Sequence, residues 1–306
     1  MAKSFQLTVI AKSNGPLTKR ISLSVDGSLK SNGSACVMSR GEARRIELSS
    51  PRQLADLISK LGSREAITLG ALRDDLPDKV QVVARHRLNG AAGVIARTHD
   101  FFGFRPGAPA FSLIDFDTKG MPVAIRTHVE ERGGPWATLT SVLPVLKSAA
   151  HVIRRSTSSG LYHTDTGKKL SESDGLHIYI SLLDGSDGER FLKVLHDRCW
   201  LGGFGWMMVG GAGQLLERSI IDRVVGSPER LVFEGAPVLD PPLAQDQESR
   251  RPIAVEGEAL DTVAACPPLS IVDESRLKEL RTKAALRLAS EKLKRLADYM
   301  DEQKKK

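Results

Sequence analysis

A short apolar stretch that ends in two aspartates constrains this chain most strongly. Residues 111–114 are Phe, Ser, Leu and Ile, and Asp115 and Asp117 follow them with one residue between. The apolar run predicts a buried strand, and residues i and i+2 of a strand point to the same side. Two carboxylates held that close repel each other, and a divalent cation removes the repulsion. The sequence therefore predicts a cation site at the end of a buried strand, unless the aspartates only solvate the turn before Gly120.

The ligand chemistry narrows the choice of metal. Carboxylate oxygens are hard ligands, which select magnesium, manganese or calcium over zinc. A calcium loop of the EF-hand type is excluded, because it needs Asp or Asn where Lys119 stands and Glu where Arg126 stands. The three cysteines are scattered, with no Cys-x-x-Cys pair, which argues against disulfides and a zinc ribbon. His196 and Cys199 have a helical spacing, but no second pair accompanies them, so we interpret both as structural.

Length and hydrophobicity bound the class of protein. The chain has 306 residues, of which 41% are hydrophobic, which is enough for two modest domains or one large domain with an appendage. It has no long apolar run and no signal-peptide pattern. We therefore expect a soluble, cytoplasmic protein without a membrane partner.

The positive charge is concentrated at one end of the chain. The net charge is +7, and residues 276–306 contain eleven Lys or Arg and five Asp or Glu. These residues carry a net +6, so the remaining chain carries only +1. The overall charge therefore does not indicate a basic nucleic-acid-binding core.

Hydrophobic periodicity and turn residues predict a mixed order of helices and strands. Strands are expected at residues 5–10, 20–25, 101–117 (as two strands), 175–181 and 215–225, and helices at 51–61, 137–153 and 188–200. Residues 237–257 are rich in Pro, Gln and charge, which predicts a linker or an edge. Beyond Pro268, an interrupted apolar stripe predicts one amphipathic helix or two short ones.

Polar groups also interrupt one face of the strand expected at residues 175–181. Leu176, Ile178 and Ile180 share one face of this strand, and His177 and Tyr179 share the other. A histidine in such a place can be a hydrogen-bonded core residue or a ligand-binding residue.

Two more segments carry candidate binding groups. Asp222 interrupts the β-branched run at residues 219–225, and Arg218 falls on the same side if the run is a strand. Between the aspartate segments lies a small polar loop that contains Ser158, Ser159 and Gly160. Backbone N–H groups and hydroxyls of such a loop can hold a phosphate. The alternatives are an ion pair and an ordinary loop.

In this chain order, the motifs resemble those of the archaeo-eukaryotic primase superfamily, the primase–polymerases. The family pattern is an apolar strand ending in Asp-x-Asp, a small-residue loop with a histidine, and an apolar strand with an Asp. The matching residues are Asp115 and Asp117, Ser159 and Gly160 with His177, and Ile220, Ile221 and Asp222. The resemblance covers about residues 95–240 and is nearest to the bacterial and mobile-element branch.

The resemblance implies an α/β (α+β) fold with a catalytic lobe built on an RRM-like antiparallel sheet. We accordingly expect a catalytic domain at residues 1–250, with an N-terminal α/β lobe at about 1–95 and the catalytic lobe at about 96–250. A linker at 251–268 and a basic helical segment at 269–306 complete the expected organisation.

The resemblance also implies a function. A DNA primase–polymerase makes primers or extends DNA from nucleoside triphosphates on a single-stranded template, here in replication of a plasmid, phage or other mobile element. Two Mg²⁺ or Mn²⁺ ions would be bound by Asp115, Asp117 and Asp222. The triphosphate would be held by His177, Arg218, Ser158, Ser159 and Gly160. A separate helicase or other replication protein could be a partner.

One departure from the family pattern and two other functions stay open. Fourteen residues separate Gly160 from Gly175, and the turn-like residues 165–168 predict a hairpin insertion that keeps both ends together. Without such a hairpin, the resemblance would no longer support a nucleotide-binding role for Ser159. A metal-dependent nuclease also uses clustered aspartates, but it needs no triphosphate pocket. A non-catalytic DNA-binding module for replication initiation is the third reading.

Overall fold

The computed structural model describes residues 4–116, 120–170 and 175–304, and it confirms a mixed α and β fold. The strands are β1 (Phe5–Lys12), β2 (Arg20–Leu23), β3 (Leu29–Asn32), β4 (Arg40–Leu48), β5 (Glu65–Thr68), β6 (Ala71–Leu72), β7 (Lys79–Val83), β8 (Val94–Ala96), β9 (Phe102–Gly103), β10 (Ala110–Phe116), β11 (His151–Arg155), β12 (Leu161–His163), β13 (Leu176–Leu182), β14 (Gly205–Val209), β15 (Leu215–Ser219), β16 (Val238–Leu239), β17 (Leu243–Gln245) and β18 (Ile253–Val255). The α-helices are α1 (Pro51–Lys60), α2 (Val123–Glu131), α3 (Pro135–Val142), α4 (Gly188–Leu201), α5 (Thr262–Ala265), α6 (Ile271–Arg287) and α7 (Ala289–Lys304).

The chain forms two compact units, and each is assembled from three separate stretches. The first unit comprises Met1–Asp115, Ser148–Glu189 and Val225–Thr262. The second unit comprises Phe116–Lys147, Arg190–Val224 and Val263–Lys306. Stretches of the two units therefore alternate along the chain. The predicted functional segments, with boundaries near residues 95, 250 and 268, stay a prediction.

The first unit contains a five-stranded sheet in the order β5-β1-β4-β7-β8. β1 lies antiparallel to both β4 and β5, and β7 runs parallel to β8. Buried Ile10, Val82 and Phe102 belong to the core that this sheet covers.

A second sheet of the first unit, in the order β10-β13-β11-β18, carries the two strands on which Asp115 and His177 were predicted to lie. β11 is antiparallel to β13 and to β18. Phe111, Leu113 and Ile114 are buried in β10, which confirms the buried strand that leads into Asp115. α1 lies against β11 and β18 and is capped by Ser50, whose side chain accepts a hydrogen bond from the Gln53 N–H.

The helix predicted at residues 137–153 is wrong in its second half. α3 ends at Val142, a 3-10 turn spans Pro144–Ser148, and β11 begins at His151. Pro144 has no N–H to donate, and it disfavours helical backbone at the residue before it. The apolar residues that follow, Val152 and Ile153, therefore enter the sheet.

The second unit is built around the antiparallel β14–β15 hairpin and helices α2, α3, α4, α6 and α7. α6 begins at Ile271 and is capped by Ser270, whose hydroxyl accepts a hydrogen bond from the Asp273 N–H. It packs on β14, and its Leu277 is buried. The segment after Pro268 thus forms two helices, one of the two predicted arrangements. Within the described ranges, none of the helices has the length and apolar composition needed to cross a membrane.

Candidate functional site

Two of the predicted site residues lie together on neighbouring strands of the first unit. Asp115 stands near the end of β10 and His177 near the start of β13, and 3.8 Å separates Oδ1 of Asp115 from Nε2 of His177. The Asp115 side chain is 29% exposed and that of His177 is 10% exposed. Asp117 lies outside the described residues. The carboxylate and imidazole thus form one polar pair at the end of an apolar strand.

The opposite edge of the His177 ring is held by a residue that the sequence reasoning missed. Nδ1 of His177 lies 2.5 Å from Oε1 of Glu234, and the Tyr179 hydroxyl donates to the same oxygen at 2.5 Å. His177 and Tyr179 therefore share a strand face, as predicted from alternation. The only signal for Glu234 in the sequence is an acid directly after the apolar run at 231–233.

Glu234 is fully buried and is paired with arginines on its other oxygen. Arg154 Nη1 donates to Oε2 at 3.0 Å, and Arg250 Nη2 lies 3.8 Å from the same atom. Arg154 also donates to the Ile58 carbonyl at 2.7 Å and to the Arg250 carbonyl at 2.9 Å. Buried charges need such partners, because removing one partner leaves an uncompensated charge out of water.

The electrostatics of this cluster favour a charged imidazole beside a charged carboxylate. Burial by itself would lower the pKa of His177, but the carboxylates of Glu234 and Asp115 raise that pKa above its usual value. Burial would raise the pKa of Glu234, but His177 and Arg154 lower it below its usual value. Burial and the nearby Glu234 raise the pKa of Tyr179 well above its usual value, so its hydroxyl stays a donor.

The small polar loop of the first unit is held by internal hydrogen bonds. Ser159 is buried, and its hydroxyl lies 3.2 Å from Ser156 Oγ and donates to the Gly175 carbonyl at 3.4 Å. The Ser156 N–H donates to the same Gly175 carbonyl at 2.8 Å. The Leu170 N–H donates to the Leu161 carbonyl at 2.9 Å, which closes the hairpin at the start of the insertion. The predicted hairpin that keeps the two ends together is confirmed.

Gly160 is placed where a side chain would not fit. Its φ is +70°, and an added Cβ would stand 2.4 Å from Ser249 Oγ. Gln245 Nε2 donates to the carbonyls of Thr157 and Ser159, at 2.9 and 2.8 Å, and so supports the loop from outside. This loop borders a cavity of about 760 Å³. The phosphate-binding roles of Ser158, Ser159 and Gly160 stay a prediction.

Asp222 belongs to the second unit and does not lie on a strand, so the strand predicted to residue 225 is wrong beyond Ser219. β15 ends at Ser219, and a 3-10 turn spans Arg223–Gly226. The Ser219 hydroxyl bonds both the N–H and the carbonyl of Ile221, which turns the backbone away from the sheet direction. Asp222 Oδ1 then accepts a hydrogen bond from the Val224 N–H at 2.9 Å.

Arg218 and Asp222 nevertheless meet in one place. Both line a cavity of about 470 Å³ in the second unit, together with Trp206 and His196. His196 contacts the Ser219 hydroxyl through Nδ1 at 2.9 Å, and so supports the turn that carries Asp222. The structural role assigned to His196 agrees with this contact.

A second group of possible metal ligands lies in the same unit and was not recognised from the sequence. His196, Asp197 and Glu217 offer ligand atoms within 4.8 Å of one another, and they could hold a metal ion. Arg281 of α6 donates to Asp197 Oδ1 at 2.6 Å and also to Glu217 Oε1. The burial of Glu217 would raise its pKa, but His196 and Arg281 lower it. Any metal bound here would compete with the Arg281 guanidinium for both carboxylates.

No protein-family model, curated protein sequence or solved structure matches this chain.

Proposed function

We propose that the chain is a DNA primase–polymerase that transfers nucleotides on a single-stranded template. The observation that carries this proposal is the pair of Asp115 and His177 on neighbouring strands β10 and β13, with 3.8 Å between Oδ1 and Nε2. The family resemblance implies this pairing of an aspartate motif with a histidine, because one binds metal and the other the triphosphate.

The order of the strands supports the same proposal. β10, β11 and β13 come in this order along the chain, with α2 and α3 between the first two, the short strand β12 between the second and third, and α4 after the third. In the sheet, β13 lies between β10 and β11. An RRM-like sheet built from a βαββαβ chain has its third strand between its first and second, and three strands of this sheet agree with that order. The fourth strand of such a sheet lies beside the first, whereas β18 lies beside β11, so the support comes from β10, β13 and β11 alone.

The metals expected are Mg²⁺ or Mn²⁺, and the Asp115 carboxylate fits them. It is a hard oxygen ligand, and its 29% exposure leaves it accessible from solvent. Asp117 would supply a second carboxylate, and a role for Asp222, which belongs to the second unit, is implied by the family resemblance alone. When bound, a pair of such ions activates the attacking 3′-hydroxyl and neutralises the triphosphate, which is how two-metal sites assist in-line displacement.

The protein groups have complementary tasks around the nucleotide. A protonated His177 would donate from Nε2 to a phosphate oxygen, because Nδ1 already donates to Glu234. Arg218 would add a permanent positive charge beside Asp222 in the cavity that they share. These residues would act by positioning and charge neutralisation, as is general in phosphoryl transfer.

The test is primer synthesis on single-stranded DNA with nucleoside triphosphates and either metal. We expect metal-dependent products that disappear in Asp115→Ala, Asp117→Ala and Asp222→Ala, with little loss of folding. Asp26→Ala is the matched control, because Asp26 sits in an exposed turn where it binds Ser28. Near-normal synthesis by Asp115→Ala would refute the mechanism.

The same assay separates the two other functions. Metal-dependent shortening of the DNA, with no requirement for nucleotides, would identify a nuclease. DNA binding with neither synthesis nor nucleotide affinity would identify a non-catalytic replication-initiation module.

A further inference from the structure

We propose that Glu234 is a positioning residue that fixes the His177 ring and so directs its Nε2 edge towards Asp115. For its kinetic readout, this inference rests on the function proposed above. Its structural readout is independent of that function.

The geometry of the ring leads to this inference. The two imidazole nitrogens lie on different edges of the ring, so a bond that fixes Nδ1 also fixes where Nε2 points. Glu234 holds Nδ1 at 2.5 Å, and Nε2 then lies 3.8 Å from Asp115 Oδ1. A carboxylate on one imidazole nitrogen is a general way to orient the other nitrogen for metal binding or catalysis.

The two carboxylate oxygens of Glu234 have different partners, and this arrangement does more than balance charge. Arg154 lies on Oε2, whereas Oε1 receives both the His177 nitrogen and the Tyr179 hydroxyl. Tyr179 also contacts the ring of His177 edge-on, with 6.4 Å between centroids and 88° between planes. A second donor on Oε1 restricts rotation of the carboxylate, so this arrangement holds one ring more firmly than an ion pair requires.

The backbone around Glu234 is equally fixed. Val232 exchanges hydrogen bonds with Ile67, and the Phe233 carbonyl accepts the Thr157 hydroxyl at 2.6 Å. At Gly235 an added Cβ would stand 2.2 Å from the Gly62 carbonyl oxygen, so the chain passes close to another segment there. Glu234 is therefore presented from a rigid support, which precise placement of a functional side chain needs.

The direct test is proton and nitrogen NMR of the Nδ1–H group of His177. Wild type should show a low-field resonance from this group, assigned by its absence in His177→Ala. In Glu234→Gln the resonance should move upfield or disappear, because a neutral amide accepts a weaker hydrogen bond than a carboxylate does. Glu229→Gln is the control, since Glu229 pairs with His99 in the same unit. An unchanged resonance in Glu234→Gln would overturn the inference.

The kinetic test separates positioning from general stability. We expect Glu234→Gln to raise the KM for nucleoside triphosphate by about 10-fold or more, the lower end of the loss that follows removal of an outer partner of a functional histidine. The double variant His177→Ala/Glu234→Gln should have the same KM as His177→Ala alone, because both changes remove the same contact of His177 with the nucleotide.

If the KM increase of the double variant equalled the product of the two single increases, Glu234 would act independently of His177, and the inference would be overturned. A wild-type protein that makes no primers would refute the proposed function, and the NMR result would still decide the role of Glu234. Glu234→Ala is avoided, since it leaves buried Arg154 without its carboxylate and could fail to fold.

Discussion

Replacing Gly160 with alanine should destabilise the first unit more than the same replacement at Gly167. Both glycines have left-handed backbone, with φ of +70° and +65°. An alanine in that region costs about 1–2 kcal/mol of folding free energy, because its Cβ crowds the following carbonyl oxygen. At Gly167 nothing lies within 4 Å of the added methyl group, so this strain should be the whole effect.

At Gly160 the methyl group meets further atoms. It would stand 2.4 Å from Ser249 Oγ and 3.1 Å from the Asp246 carbonyl oxygen. Ser249 Oγ would have to move, and it donates to that Asp246 carbonyl at 2.8 Å. Losing this hydrogen bond adds about 1 kcal/mol. We therefore expect a total of about 2–3 kcal/mol for Gly160→Ala.

The same contacts define a rescue. Ser249→Ala removes the hydroxyl that obstructs the new methyl group, and the Ser249 Cβ lies at an ordinary contact distance of 3.7 Å. In that background, Gly160→Ala should cost less than in wild type, by up to about 1 kcal/mol, because the lost hydrogen bond no longer contributes. The remaining cost is the backbone strain of about 1–2 kcal/mol, together with the contact of 3.1 Å to the Asp246 carbonyl oxygen.

Urea unfolding followed by far-ultraviolet circular dichroism measures these differences. The three tryptophans, Trp136, Trp200 and Trp206, all belong to the second unit, so their fluorescence follows that unit separately. Equal losses at Gly160 and Gly167, or no relief from Ser249→Ala, would refute the steric explanation.

Three further predictions concern charge and the C-terminal helices. The pKa of His177 is raised in the folded state, so its protonation stabilises the fold. This contribution should be complete below the usual pKa of about 6.5 and should be lost as pH rises through the raised pKa. Unfolding free energies at a series of pH values should show the loss in wild type and not in His177→Ala. Arg281→Met should destabilise the second unit by about 1–3 kcal/mol, because it leaves Asp197 and Glu217 without their shared guanidinium. Unfolding followed by tryptophan fluorescence should show this loss of stability. Lys278→Met, at an exposed position of the same helix, should cause no such loss. A chain that ends at Leu288 keeps α6 and should stay folded, whereas one that ends at Cys266 loses Leu277 and Arg281 and should lose the second unit's fluorescence transition.

The basic helical segment predicted at residues 269–306 is a candidate template contact, because basic side chains near phosphates give salt-dependent affinity. Arg281 contributes to the positive charge of this segment, but its guanidinium is already paired with Asp197 and Glu217. Arg276 and Lys278 remain exposed on α6. If they contact the template, Arg276→Gln with Lys278→Gln should weaken DNA binding and reduce its salt dependence. An unchanged salt dependence would mean that these two residues do not contact phosphates.

The sequence by itself determined the features that depend on local pattern. An apolar run predicted the burial of β10, alternation placed His177 and Tyr179 on one face, and the turn residues predicted the hairpin between Gly160 and Gly175. These features follow from the twofold period of strands and from turn chemistry, which act between residues that are close in the chain.

Only the tertiary structure decided which distant groups meet. Glu234 lies 57 residues from His177 in the chain, and Arg281 lies 64 residues from Glu217. Nothing in the local pattern selects such partners, because a buried charge is stabilised by whichever opposite charge the packing brings near it. The turn at Ser219 that takes Asp222 off its strand has the same origin, since His196 of another element holds the Ser219 hydroxyl. Side-chain hydrogen bonds of this kind compete with strand pairing and override the β-branched pattern.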